Sequence, residues 1–131
     1  MGSILHLKDL GRILQSNNVQ ITNLDYSEVL SARGDGPTFC FVDPPYPDTK
    51  GFYYGENGKL HEDFNHSQFV ETIKGCPHDW LLTYPDTDVI RYRQFPRAYK
   101  APLDVQNCVR GNGLELMISN YKFPLWEDDE D

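Results

Sequence analysis

The segment Phe39-Cys40-Phe41-Val42-Asp43-Pro44-Pro45-Tyr46 gathers the residues best equipped for chemistry. A compact apolar run stops abruptly at an acid, two prolines and a phenol. Each proline lacks a backbone N–H and fixes φ, so Pro44-Pro45 makes a stiff turn with carbonyls left over as acceptors. A carboxylate, a rigid carbonyl and an aromatic face this close together can accept both hydrogens of a planar amino group and stack on its ring. The exocyclic amine of a nucleobase is such a group. The plain alternative is an ordinary strand-ending turn, and the tetrapeptide alone does not separate the two.

Elements at helical and strand spacing surround this corner. In residues 4–16, Leu7, Leu10, Ile13 and Leu14 share one side, which predicts an amphipathic helix despite Gly11. Val19 to Asn23 alternates as a short strand should, and Asp25 to Leu30 reads as a brief helical turn stopped by Gly34-Asp35-Gly36-Pro37. Thr38 to Val42 is an apolar run of the kind buried on both faces of a parallel sheet. In open α/β sheets ligands bind beyond the carboxyl ends of strands, which is where Asp43 falls. Residues 47–62, rich in Gly, Pro and Tyr, read as a long functional loop. Asn65 starts a second helix with Phe64, Phe69, Val70 and Ile73 on its apolar side and Gly75 near its end. Trp80 to Tyr84 is a second buried-type strand, and Thr87 to Tyr92 a short helix. Residues 93–113 read as irregular, with a possible strand at Val105 to Val109 and a tight turn at Gly111-Asn112-Gly113. Leu114 to Ser119 is the last strand. The expectation is an α/β domain over residues 1–126, its sheet parallel with a hairpin at the C-terminal edge, followed by an acidic disordered tail at 127–131.

The chain has 131 residues, 39% apolar and 13% aromatic, enough for one core. No stretch approaches the roughly 20 apolar residues of a bilayer crossing, and no basic start with a long apolar run marks a signal peptide. Cys40, Cys76 and Cys108 are widely spaced, which favours free thiols and a cytoplasmic setting over a disulfide framework. His61, His66 and His78 fit no standard metal spacing. Of the net charge of −8, the five acidic residues at the end carry the greater part. Arg91, Arg93, Arg97, Lys100 and Arg110 face Asp104 alone over their stretch, so a basic face can still meet phosphate. Those cations are equally well read as a solvated edge, and Tyr53 and Tyr54 as either core packing or the lining of a base-binding channel.

Taken in order, these segments resemble the Dam-type adenine-N6 methyltransferases of DNA, whose signature is a strand followed by Asp-Pro-Pro-Tyr. The likeness extends from residue 5 to residue 121. Leu10 to Leu30 resembles the helix, strand and Asn-x-Asp-like segment before the motif. Phe52-Tyr53-Tyr54-Gly55, His66-Ser67, Leu81-Leu82-Thr83-Tyr84-Pro85-Asp86 and Glu115-Leu116-Met117-Ile118-Ser119-Asn120-Tyr121 resemble the elements after it. The resemblance implies a partial Rossmann-like methyltransferase sheet. It implies that Asp43 and the Pro44 carbonyl, on the stiff Pro44-Pro45 turn, hold an adenine amine flipped from the duplex, with Tyr46 stacked on the base. It also implies S-adenosylmethionine as cofactor, with Asp43 near the methyl donor and Asp25 near its adenosyl part. DNA is the implied partner, held by Tyr53, Tyr54, Arg91, Arg93, Arg97 and Lys100.

One part of the family pattern has no counterpart. Nothing before Asp43 supplies the Gly-rich segment that cradles the donor, so the chain resembles the C-terminal half of such an enzyme. A truncated form, one part of a split enzyme, and a non-catalytic DNA- or protein-binding remnant are all compatible with that pattern, as are cytosine N4, RNA or a glutamine amide as acceptors. An exposed sheet surface is expected where further strands would pack, and with it self-association or a partner subunit carrying the donor-binding half.

Overall fold

A computed structural model describes residues 2–46, 63–107 and 111–122. The sheet is assembled from apolar strands that find each other across long sequence separations. Strand β1 (Phe39–Val42) pairs in parallel with β2 (Asp79–Pro85), with Val42 opposite Leu82. Two further strands, β3 (Tyr99–Asn107) and β4 (Gly111–Ser119), form an antiparallel hairpin. β4 lies between β2 and β3, giving the order β1-β2-β4-β3. The sheet is therefore mixed, with one parallel pair and a C-terminal hairpin.

One face of the sheet is covered. Helix α1 (Gly2–Ser16) precedes α2 (Tyr26–Ser31), and α3 (His66–Lys74) follows β1. Leu30 of α2 and Phe69, Val70 and Ile73 of α3 pack with Trp80, Leu82, Tyr84, Leu116 and Ile118 into the core. Cys40 and Val42 lie on this side at the core's margin. Both short helices begin on a side-chain cap, which satisfies an otherwise orphaned N–H. Asp25 accepts from the Ser27 amide, and Asn65 accepts from the Gln68 amide at 3.0 Å. Asn120, just past β4, clamps the start of β2 by accepting from the Trp80 amide and donating to the His78 carbonyl, both at 2.9 Å.

The opposite face is open, and here the structure corrects several expectations. β1 is an edge strand, not a strand buried on both sides: Phe39 and Phe41 are 54% and 63% exposed. Val19 to Asn23 does not form a strand, because its alternation meets no neighbouring strand to complete a ladder, and Val19 and Ile21 are exposed. α1 forms, but Leu7, Leu10 and Ile13 remain exposed and add nothing to the core. Residues 99–107 are strand, not irregular; Pro102 is tolerated because β3 lies at the sheet edge. Gly111 to Gly113 belong to β4, paired with Val105 to Asn107, and do not make the turn. The helix expected at 87–92 is a π-helical segment, Val89–Gln94. The loop at 47–62 and the tail at 127–131 lie outside the described residues.

Candidate active site at the carboxyl end of β1

β1 delivers Asp43 to the sheet's carboxyl edge, and the two prolines turn the chain away at once. Asp43 is exposed, and Pro44 and Pro45 are half-buried. All three line an open cleft of about 860 Å³. Its far wall is Asn23, Leu24, Asp25 and Tyr26, and Asp63, Phe64, Asn65, Gln68 and Phe69 bring the start of α3 to it. The two acids singled out in the sequence, Asp25 and Asp43, thus open on one cavity. Asp25 arrives there as the cap of α2 and not as the end of a strand. Its carboxyl is held below the usual carboxylate range by the Ser27 hydroxyl and then the Ser27 amide.

Aromatic rings form a continuous column beneath the corner. Tyr26, Phe64 and Phe69 meet at centroid distances of 5.5 to 5.6 Å. Phe69 stacks on Tyr84, and Tyr84 on Tyr46, each at 6.0 Å. His66, read from the sequence as a helix-start residue, turns inward so that its Nδ1 lies 2.6 Å from the Tyr84 hydroxyl. Tyr46 is only 8% exposed and is not part of the cleft wall. It differs here from the open stacking platform expected of it: one face is already covered by Tyr84. Burial pushes its phenol up to about 12, helped by the nearby Glu115 carboxylate and partly offset by the Thr83 hydroxyl. Burial likewise raises the Tyr84 phenol.

Asp43 is steadied from β2. The Thr83 hydroxyl donates to Asp43 Oδ1 at 3.0 Å, and Thr83 and Glu115 both stand close enough to the Tyr46 phenol to act on its pKa. Neither Thr83 nor Glu115 was identified as a site residue from sequence. Both lie in segments that carry the family resemblance, but nothing in their spacing reveals contacts between three strands.

The basic residues do not converge on the cleft. Arg91 forms a two-pronged ion pair with Asp86, including Nη2 to Oδ2 at 2.6 Å, which raises the guanidinium and lowers the carboxyl. Lys100 is half-buried, donates to the Ala98 carbonyl at 2.8 Å, and is lowered first by burial and then by Arg91. Arg93 and Arg97 are exposed. Tyr53 and Tyr54 lie outside the described residues.

Among the described residues no helix is long and apolar enough to cross a membrane. Comparison with curated proteins returns no match. Residues 4–94 match the family model described as D12 class N6 adenine-specific DNA methyltransferase. This span takes in all three acids of the cleft, the double-proline corner and the start of α3, and it is most of the chain. The chain therefore belongs to the D12 class N6 adenine-specific DNA methyltransferase family.

Proposed function

We propose that the corner grips the amino group of an adenine extruded from DNA, while the cleft takes the adenosyl part of S-adenosylmethionine. The observation that carries this reading is the shared cavity: Asp43, Pro44 and Pro45 form one wall, and Asp25 with Tyr26 the other. The residues present suit an adenosine. Rings at Tyr26, Phe64 and Phe69 offer apolar surface, and carboxylates at Asp25, Asp43 and Asp63 offer acceptors for hydroxyl and amino hydrogens and a negative field for a sulfonium.

An adenine amine is paired and stacked inside a duplex, so the base must leave the stack to reach Asp43. The amine is also a poor nucleophile, because its lone pair is delocalised into the ring. Asp43 and the Pro44 carbonyl, accepting its two hydrogens, draw the nitrogen towards pyramidal geometry and localise that pair. The donor, when bound, supplies an electrophilic methyl group on sulfur. The chain's own contribution is positioning and electrostatics, with no covalent link to the protein. Tyr46, stacked on Tyr84, holds the corner rigid, and stacking on a base would require its other face to open. Arg93 and Arg97, exposed and outside the described ion pairs, are the cations best placed to meet DNA phosphate; Arg91 is already engaged by Asp86. The methionine part of the donor needs a Gly-rich segment beyond the sequence before Asp43, in the same or another polypeptide. That segment, or a second copy of the chain, would meet the open face of Phe39 and Phe41.

NMR titration with adenosine and with S-adenosylhomocysteine tests this reading. Both are expected to shift the amides of Asp25, Tyr26 and Asp43 with similar affinities of about 1 mM or weaker, roughly −4 kcal/mol. Shifts confined elsewhere would overturn the cleft assignment. A tenfold preference for S-adenosylhomocysteine would overturn the claim that the methionine site is supplied by another segment.

A further inference from the structure

We infer that Thr83 is a positioning residue for the corner, its hydroxyl orienting the Asp43 carboxylate. The inference rests on the reading of Asp43 as the amine acceptor and names what holds that acceptor in place. Val42 and Leu82 are partners in the parallel ladder, so Asp43 and Thr83 are the next residues along two neighbouring strands. Their side chains meet at 3.0 Å. Glu115 reaches the group from β4, where it is opposite Pro85, on the same face as Met117, which is opposite Thr83. The Tyr46 phenol stands beside Thr83 and Glu115. Thr83 on β2 thus stands between the corner and β4.

The geometry matters because Asp43 is exposed on a stiff turn. Pro44 and Pro45 fix the backbone but not the side chain, and a free carboxylate would sample several rotamers. A hydrogen bond to Oδ1 selects one of them. A threonine placed merely for strand formation would be replaced without consequence by valine, which has the same shape and an equal fitness for strands.

The test uses the full chain and two DNA duplexes, each with one unpaired base opposite an abasic site. One carries adenine there; the other carries purine, which lacks the 6-amino group. The wild type and Thr83→Ser are expected to prefer adenine by about tenfold, the effect of one hydrogen bond to a charged group. Thr83→Val should lose most of that preference, as Asp43→Ala does, while binding the purine duplex as the wild type does. An undiminished adenine preference in Thr83→Val, or a Thr83→Ser variant that loses it as Thr83→Val does, overturns the role of Thr83. A wild type that does not distinguish the two duplexes overturns the reading of Asp43 itself, and the Thr83 role with it.

Discussion

Asp43 reaches function through the company of a few atoms: an acid on an exposed corner, a threonine hydroxyl at 3.0 Å, and a buried phenol beside both. Asp43 and Asp25 were legible in the sequence because they sit in segments whose residue types already suggest chemistry. Thr83 was not, since its partner is 40 positions away and an isolated threonine in an apolar strand reads only as a strand former. The phenol of Tyr46 supplies a prediction with a definite sign. Folding raises its pKa from the ordinary 10 to about 12, so the folded protein keeps a proton that the unfolded chain gives up. Stability contributed by that group is present below pH 10 and is lost as pH rises between those two values, with a slope of up to about 1.4 kcal/mol per pH unit. Denaturant melts of wild type and Tyr46→Phe across this window should show the shallower fall in the variant. Parallel curves would mean that Tyr46 titrates as it does in the unfolded chain.

At the scale of elements, α3 is the piece that joins core to cleft. Its apolar side packs Phe69, Val70 and Ile73 inward, while its first turn brings Asn65 and Gln68 to the cavity. The Asn65 cap secures that turn, so Asn65→Ala is expected to cost about 1 kcal/mol of stability in chemical denaturation, and Asn65→Asp much less. Equal losses in both would assign the effect to something other than the cap. α3 and β2 could be read from sequence because their periodicity agrees with a core that this chain itself supplies. Val19 to Asn23 and α1 carry equally clear patterns, yet their apolar residues stay exposed, since amphipathic spacing says that a face wants covering and not what covers it. β3 was missed for the opposite reason: Pro102 disguised an edge strand, and glycines that signal a turn lie within β4.

Across the whole molecule, burial is lopsided. One face of the sheet is packed under α2 and α3, and the other presents Phe39 and Phe41 beside the polar group of Asp43, Thr83 and Glu115. The open cleft lies at the sheet's carboxyl edge, so the corner stands between that cavity and a face that no described helix covers. That placement suits a residue that must bring two substrates together. On the proposed reading the acceptor corner lies in this chain and the methionine cradle comes from another segment, so membership of the family does not by itself assign activity. The most direct measurement is therefore of the acceptor alone. A duplex with one extruded adenine, nitrogen-15 labelled at its 6-amino group, should show that resonance moving when the wild-type chain binds and staying in place with Asp43→Ala. An amino resonance that moves equally with both proteins, or with neither while the duplex is bound, would contradict the account.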